Sequence, residues 1–285
     1  VATLLGLKAP YKNVISLGHL LDEKGEKMSK SKGNVVNPWD MIGKYGVDTL
    51  RWYFYTLNHP WDSKLFAEKD LQQVMRKFIL TLWNSFVFYK TYAGKSPAFS
   101  ARAADSAGKQ SLNILDRWVT SRLHSVIREA TEKFDAYDIT GAARLIESFV
   151  IDDLSLWYIR RSRRRFQNPA NKKELQDASA LLRHVLLEIS KLTAPFIPFL
   201  SEHIYSEVGG KGSVHWQDWP SFAKASEGKP TVSKKLEAEM VQVRELVVKG
   251  LAERAKAGIK VRQPLASFKI STSSKVSKEL LALIK

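Results

Sequence analysis

Apolar side chains recur at helical spacing through most of this 285-residue chain. Such spacing gathers the side chains on one stripe of an α-helix, which has to be buried against a neighbouring element. The stripes are Leu71/Val74/Phe78/Leu82/Phe86/Tyr89, Leu115/Val119/Val126/Ala130/Phe134, Ala142/Leu145/Phe149/Leu156/Ile159 and Leu175/Ala178/Leu182/Val185/Ile189/Leu192. Only modest polar stretches separate them, which favours antiparallel neighbours. The pattern predicts a mainly α fold built around an antiparallel helical bundle.

Local signals predict where several helices begin and end. Asn37 can cap a helix whose first turn holds Pro38, and Gly46 is expected to end that short helix. Asp48 is expected to cap the next helix, and Asp138 the long third helix of the bundle.

Changes in composition divide the chain into four predicted segments. A small β/α segment occupies residues 1–65, and the helical bundle occupies residues 66–208. Residues 209–232 form a linker rich in Gly, Ser and Trp, and residues 233–285 form a further helix with a strand-like tail. Strand-like stretches are expected at 13–17, 259–261 and 267–270, and a Ser/Ala/Gly-rich connector at 95–111.

The charge balance points to an anionic partner. The chain has 45 Lys and Arg against 29 Asp and Glu, a formal net charge of +16. Five of these arginines crowd into residues 160–165, and clustered arginine is typical of nucleic-acid binders. The alternative is a solvated helix face whose arginines pair with Glu147, Asp152 and Asp153, and charge alone leaves both open. Five arginines on one helix spread over about 200°, so they cannot all face one RNA.

Several classes of site and location are excluded by what the sequence lacks. With no cysteine, the chain has no disulfide, thiolate nucleophile, iron–sulfur cluster or cysteine-bound zinc. Six scattered histidines without an HExxH pair argue against a histidine zinc site, so no metal ligands are expected. No apolar run approaches the roughly 18 residues of a membrane span, so no membrane association is expected.

The sharpest local signal is a loop, residues 27–33, which we call the lysine loop. Lys27 and Lys30 stand three residues apart between Gly25 and Gly33, and serine hydroxyls add neutral donors. A mobile loop with two cations suits a polyphosphate whose charge rises as pyrophosphate leaves. The alternative is an ordinary exposed Lys/Ser turn on a basic protein.

The pentapeptide at 27–31 is KMSKS, the signature that identifies class I aminoacyl-tRNA synthetases. The resemblance continues through the run from Asn13 to Arg51 (NVISLGHLLDEKGEKMSKSKGNVVNPWDMIGKYGVDTLR). Four further stretches resemble isoleucyl-tRNA synthetases in particular: WYIRRSRRRF (157–166), KLTAPFIPFLSEHIY (191–205), SVHWQDWP (213–220) and AGIKVRQPL (257–265). The similarity covers nearly the whole chain in the expected order.

The resemblance implies a role for each residue of the KMSKS signature. Lys30 would bind the ATP phosphates and stabilise the transition state that forms the adenylate, and Lys27 would assist. Met28, Ser29 and Ser31 would shape the ATP-binding loop. ATP and Mg²⁺ would enter as a substrate complex, and the chain would bind no metal of its own.

The resemblance also makes the bundle an anticodon-binding domain with an isoleucine-accepting tRNA as its partner. Candidate tRNA contacts are Arg160, Arg161, Arg163, Arg164 and Arg165. Trp157, one turn before Arg161, could stack an unpaired base or pack in the core. A cytoplasmic, monomeric enzyme is expected.

The implied activity is isoleucine–tRNA ligation, with this chain as the C-terminal part. No HIGH-type ATP motif is present, so L-isoleucine would bind an upstream domain, and we expect no amino-acid activation by these 285 residues alone. The alternatives are part of a valyl- or leucyl-type synthetase, a non-catalytic tRNA-binding helical module, and a structural bundle with a fortuitous lysine loop.

Overall fold

The computed structural model describes residues 2–93, 113–220, 232–265, 267, 269 and 277–284. Within these ranges the chain is mainly helical, as predicted, with a two-stranded parallel sheet near its start. No helix in these ranges is long and apolar enough to cross a membrane. The strands are β1 (Leu20–Leu21) and β2 (Lys64–Leu65), and the helices are α1 (Pro38–Tyr45), α2 (Val47–Thr56), α3 (Glu68–Val74), α4 (Leu80–Tyr92), α5 (Ile114–Asp135), α6 (Ile139–Ser148), α7 (Arg160–Gln167), α8 (Lys172–Thr193), α9 (Pro198–Glu207), α10 (Lys234–Lys256) and α11 (Lys278–Leu281).

Two pairs of helices are joined without a break by wider, π-helical turns. Met75–Ile79 connects α3 to α4, and Phe149–Ile159 connects α6 to α7. Shorter 3₁₀ turns lie at Thr3–Leu5, Lys30–Lys32, Val214–Trp216 and Ala282–Ile284. The long third helix predicted to run into the arginine cluster is therefore continuous, although its middle is not a regular α-helix.

The core of the bundle is formed by the predicted stripes. Phe78, Val119, Phe149, Leu182 and Ile189 are all fully buried in one cluster. Helices α4, α5, α6, α8 and the π-helical turns after α6 pack around this cluster. The antiparallel bundle predicted from helical spacing is thus confirmed.

A second, smaller core lies beside the bundle and carries the lysine loop. Met41 of α1 and Tyr53 of α2 pack with Phe66 and Leu71, and the half-buried Met28 packs against them. Helix α2 contributes to both cores, because Trp52, the residue before Tyr53, lies in the bundle core and its ring stacks on Phe78 at a centroid distance of 3.8 Å.

The predicted helix limits hold in most places. Asn37 Oδ1 accepts a hydrogen bond from Trp39 N at 3.1 Å, and α1 ends at Gly46. Asp48 is not the cap of the next helix, because Gly46 holds that position. The carboxylate of Asp48 instead accepts the backbone N–H of Leu200 at 2.7 Å, so it joins α2 to the start of α9.

The predicted strands are wrong where the structure describes them. Residues 13–17 form no strand, and pairing begins only at Leu20 and Leu21 with Lys64 and Leu65. Residues 259–261 form part of a turn after α10, because Arg254 Nη1 donates to the carbonyl oxygens of Lys260 and Gln263 at 3.0 Å each. Strand propensity without a pairing partner does not make a strand. The connector predicted at 95–111, residues 221–231 of the predicted linker and parts of 267–270 lie outside the described residues.

Replacing Asp138 with alanine is expected to cost about 1 kcal/mol of unfolding free energy, because Asp138 is the predicted cap of α6. Its Oδ1 accepts Gly141 N at 2.8 Å and its Oδ2 accepts Lys133 Nζ at 2.7 Å. The hydrogen bond from Lys133, followed by that from Gly141, lowers the pKa of Asp138. The stabilisation is therefore present above the unfolded-state pKa and is lost as pH falls through the lower folded-state pKa.

Urea unfolding of the wild type and Asp138→Ala at pH 7 and near pH 2 checks this expectation. The exposed Asp135, the last residue of the preceding helix, provides the control Asp135→Ala. A difference that persists unchanged in acid would contradict a role for the Asp138 carboxylate.

Candidate functional site

The lysine loop is held at its base and exposed at its tips. Ser29 is extended, a 3₁₀ turn follows at Lys30–Lys32, and Gly33 ends the turn with a φ of 67°, a conformation that favours glycine. The half-buried Met28 anchors the loop to the smaller core. The hydroxyl oxygens of Ser29 and Ser31 lie 2.6 Å apart and share a hydrogen bond.

The two lysines of the signature have no acidic partner among the described residues. Both Lys27 and Lys30 are exposed, whereas Lys32 pairs with Glu26 at 3.2 Å. Exposed ammonium groups on an anchored loop are available to an anionic ligand. In the described ranges, no group of three or more His, Asp or Glu side chains could hold a metal ion.

The five candidate arginines lie on α7 and divide into two faces. Arg160, Arg163 and Arg164 are exposed, whereas Arg161 and Arg165 are half-buried. At about 100° per residue, the three exposed arginines fall within about 100° of one another. One face of α7 therefore presents three cations together.

Arg165 is held in the core by a buried ion pair. Its two Nη atoms donate to the two carboxylate oxygens of Asp116 at 2.6 and 2.7 Å, and Tyr158 Oη donates to Asp116 Oδ1 at 3.0 Å. Glu174 Oε1 lies 3.7 Å from Arg165 Nε. Burial alone would lower the pKa of Arg165, but the hydrogen bonds and charge of Asp116 outweigh it and raise that pKa. Burial, reinforced by the negative charge of Asp116, raises the pKa of Tyr158 well above its usual value.

Trp157 and Arg161 contact each other at the seam between α7 and the C-terminal helices. The Arg161 guanidinium lies 4.1 Å from the centroid of the Trp157 ring and donates to the carbonyl oxygen of Leu283. The ring of Trp157 is 8% exposed, and its Nε1 donates to Met240 Sδ at 3.2 Å. In this arrangement the ring packs against α10, which matches the packing alternative. Burial and the charge of Arg160 lower the pKa of Arg161.

Three acids were considered as partners for the arginine cluster, and each of them binds residues outside that cluster. Glu147 accepts hydrogen bonds from Trp52 Nε1 at 2.9 Å and Lys77 Nζ at 3.0 Å. Asp152 accepts a hydrogen bond from the Ser148 hydroxyl at 3.0 Å. Asp153 pairs with Arg122 at 3.2 Å and with Arg244. The acids that do pair with the cluster are Asp116 and, at a longer distance, Glu174, and sequence reasoning missed both.

A charged network that the sequence did not reveal attaches α10 to the bundle. Arg122 donates to Asp153 Oδ2 at 3.2 Å and to Glu237 Oε2 at 3.1 Å, and Arg244 binds the other oxygen of Asp153. The Ser125 hydroxyl donates to Glu237 at 2.9 Å. An acidic residue within an apolar stretch, as in IDDLSLW at 151–157, is the one sequence signal that could have indicated this pairing.

The larger part of the chain matches a known family model. Residues 116–270 match the model described as "Anticodon-binding domain of tRNA ligase", which is more than half of the sequence. The chain belongs to the tRNA ligases with this anticodon-binding domain. Residues 1–65 match a second model, "tRNA synthetases class I (I, L, M and V)". The family resemblance identified from the KMSKS signature is therefore confirmed.

Curated relatives match this tRNA ligase chain over nearly all of its length. Isoleucine–tRNA ligase from Deinococcus radiodurans is 40% identical over 275 residues, which cover 96% of this chain and 25% of the relative. Isoleucine–tRNA ligase from Clostridium tetani is 39% identical over 268 residues, with 92% of this chain and 25% of the relative covered. The chain thus spans about a quarter of the length of these relatives.

A solved structure supports the helical fold of this tRNA ligase chain. It is the ternary LeuRS–tRNA–LeuAMS complex from Agrobacterium radiobacter K84, with a TM-score of 0.53 and 18% sequence identity. The similarity covers 73% of this chain and 23% of that chain. At this identity the likeness concerns the fold alone.

Proposed function

We propose that this chain supplies the lysine loop and the anticodon-binding bundle of an isoleucine–tRNA ligase. The reaction joins L-isoleucine to its tRNA at the expense of ATP. The observation that carries the proposal is the presence, on an anchored KMSKS loop, of two exposed lysines that have no acidic partner in the described part of the chain. The choice of isoleucine is supported by relatives of that name at 39–42% identity across more than nine tenths of the chain.

In this proposal Lys30 contacts the phosphates of ATP, and Lys27 assists it. Two positive charges that approach the phosphates stabilise a transition state in which negative charge accumulates on departing pyrophosphate. Met28 fixes the base of the loop, and Ser29 and Ser31 hold its backbone between the lysines. As the resemblance to the class I synthetases implies, ATP would enter as its Mg²⁺ complex, in which the ion neutralises part of the phosphate charge.

The tRNA would meet the exposed face of α7. Arg160, Arg163 and Arg164 form that face and are the contacts we assign to phosphate oxygens, which planar guanidinium groups bind well. Arg165 has its hydrogen bonds committed to Asp116, and Arg161 lies against Trp157. Contact between tRNA and these two arginines or Trp157 stays a prediction. For Arg161 and Trp157 it would require the seam with α10 and Leu283 to open, and for Arg165 it would require the ion pair with Asp116 to break.

Binding of three tRNA transcripts to the chain tests the proposal. We expect an isoleucine-accepting tRNA to bind at least about tenfold more tightly than valine- and leucine-accepting tRNAs, as a few specific contacts would provide. Affinity should fall steeply between about 50 and 200 mM salt, because bound phosphates release counterions.

The alternatives give different outcomes in the same measurement. Preference for a valine or leucine tRNA would indicate that the chain belongs to a valyl- or leucyl-type synthetase instead. Equal affinity for all three would indicate a non-specific tRNA-binding module. The absence of salt-sensitive binding would leave a structural bundle and would contradict the proposal.

A further inference from the structure

The side chain of Asn34 ties the lysine loop to the turn before it. Its Oδ1 accepts the backbone N–H of Ser29 at 2.9 Å, and its Nδ2 donates to Asp22 Oδ2 at 2.8 Å. The same Nδ2 lies 3.4 Å from the carbonyl oxygen of Lys27. One amide therefore contacts the loop backbone on both sides of Met28 and connects it to Asp22.

Asp22 is itself fixed within the turn that precedes the loop. Its Oδ1 accepts the backbone N–H groups of Lys24 at 3.0 Å and Glu26 at 2.8 Å, and its own N–H donates to the carbonyl oxygen of Glu26 at 2.8 Å. The hydrogen bonds from Asn34 and Glu26 lower the pKa of Asp22, so the carboxylate stays charged at neutral pH. Asn34 is thus bound to a partner that the backbone already holds in place.

The other contacts of the loop hold different points of it. The backbone N–H of Met28 donates to the carbonyl oxygen of Leu20 at 3.5 Å, beside an antiparallel bridge between Leu21 and Lys27, and these contacts do not involve the Ser29 N–H. The bond between the Ser29 and Ser31 hydroxyls lies within the loop and does not reach the turn. The pair between Lys32 and Glu26 does reach the turn, but both side chains are more than half exposed, 59% and 57%. Exposed ion pairs contribute little to order.

We propose that Asn34 and Asp22 are positioning residues for the lysine loop. Together they fix the backbone at Ser29, between the two lysines, so that Lys27 and Lys30 extend from a rigid base. That these lysines bind ATP phosphate rests on the proposed function. That their base is rigid rests on the hydrogen bonds alone, and the two statements can fail separately.

Amide hydrogen exchange at Ser29 in the intact chain tests the rigid base. Asn34→Ala should lower the protection of the Ser29 N–H about tenfold, the effect of losing one well-formed hydrogen bond. Asn13→Ala is the matched control, because Asn13 lies in the same segment and donates to Tyr137 Oη at 3.1 Å, away from the loop. It should leave Ser29 protection unchanged. Unchanged protection in Asn34→Ala would overturn the proposal.

An exchange of the two side chains tests the pair itself. Asn34→Asp alone places two carboxylates face to face and should lower Ser29 protection at least as much as Asn34→Ala. Adding Asp22→Asn restores one donor opposite one acceptor: the amide at position 22 can donate to the carboxylate at position 34, which still accepts Ser29 N–H. Recovery of protection in the double variant would support the pair, and failure to recover would overturn the role of Asp22.

Acetylation of Lys30, followed by mass spectrometry, separates this inference from the proposed function. Mg-ATP should slow the acetylation of Lys30 in the wild type. In Asn34→Ala, the same slowing should require a several-fold higher concentration of Mg-ATP. Lys235, whose side chain is 88% exposed, serves as the internal reference. If the wild type and Asn34→Ala need the same concentration of Mg-ATP, the proposal that Asn34 positions the lysines is overturned. No slowing in either protein, with Ser29 protection lost in Asn34→Ala, would contradict ATP binding and leave the rigid base established.

Discussion

Arg165→Ala is expected to lower the free energy of unfolding by about 3–5 kcal/mol, because it leaves a buried carboxylate without its counter-charge. Asp116 is 1% exposed, and both of its oxygens accept hydrogen bonds from Arg165. After the substitution only the Tyr158 hydroxyl would remain as a donor to Asp116 among the described residues. Burial of an uncompensated charge in the centre of the bundle is among the most destabilising single changes.

Urea unfolding of Arg165→Ala and Arg164→Ala compares the free energies of unfolding of the two variants. The two arginines are adjacent on one helix, but Arg164 is exposed and has no ion pair in the described ranges, so its loss should change stability by no more than about 0.5 kcal/mol. Arg165→Lys retains the charge and loses the paired geometry, so an intermediate loss is expected. Equal stabilities of the two alanine variants would contradict the assignment of Arg165 to the core.

The triple substitution of Arg160, Arg163 and Arg164 by glutamine is expected to weaken tRNA binding by at least about tenfold. Each arginine that contacts a phosphate releases condensed counterions, so the slope of log K against log[salt] should become shallower by about 2–3. Stability should change little, because all three side chains are exposed. Binding and unfolding thus respond to different arginines of the same helix.

A second triple variant controls for net charge. Lys12, Lys69 and Arg76 are exposed cations on other elements, and their replacement by glutamine removes the same three charges. Electrophoretic mobility shifts or fluorescence anisotropy with one labelled tRNA at several salt concentrations would measure both variants. An equal loss in the two would mean that overall charge attracts the tRNA, and it would contradict a specific face on α7.

The fold could be predicted largely because helical spacing depends only on which side chains are apolar. The caps at Asn37 and Asp138 were also predicted, since a cap needs only its own side chain and the next turn of backbone. Asp48 was assigned wrongly because its partner, Leu200, lies 152 positions away in the sequence. The strand predictions were wrong for the same reason, since a strand requires a pairing partner that the segment itself does not specify.

The division of the arginines could not be predicted from the sequence. Several of them stabilise helix ends: Arg51 donates to the carbonyl oxygens of Pro195 and Phe196, Arg144 to those of Thr56 and Leu57, and Arg183 to those of Val208 and Gly209. Carbonyl groups at the end of a helix lack internal partners and carry partial negative charge. An arginine that the sequence offers as an RNA contact can therefore already be bound to carbonyl groups of the protein's own backbone.

In the lysine loop, too, the sequence does not reveal contacts between residues that are distant in the chain. The KMSKS residues could be found because they form a contiguous signature. Asn34 and Asp22 could not, because their importance depends on a side-chain contact across 12 positions. A polar residue just after the glycine that ends a loop was the only available indication.

The π-helical turns at Phe149–Ile159 have a consequence for α7 that the arginines themselves do not determine. A wider turn advances through fewer degrees per residue, so every side chain beyond it is rotated about the helix axis relative to an uninterrupted α-helix. The outward direction of Arg160, Arg163 and Arg164 is set by this rotation, as is the inward direction of Arg165. Insertion or deletion of a single residue between Ser148 and Arg160 would turn the basic face away from its present direction without changing any arginine.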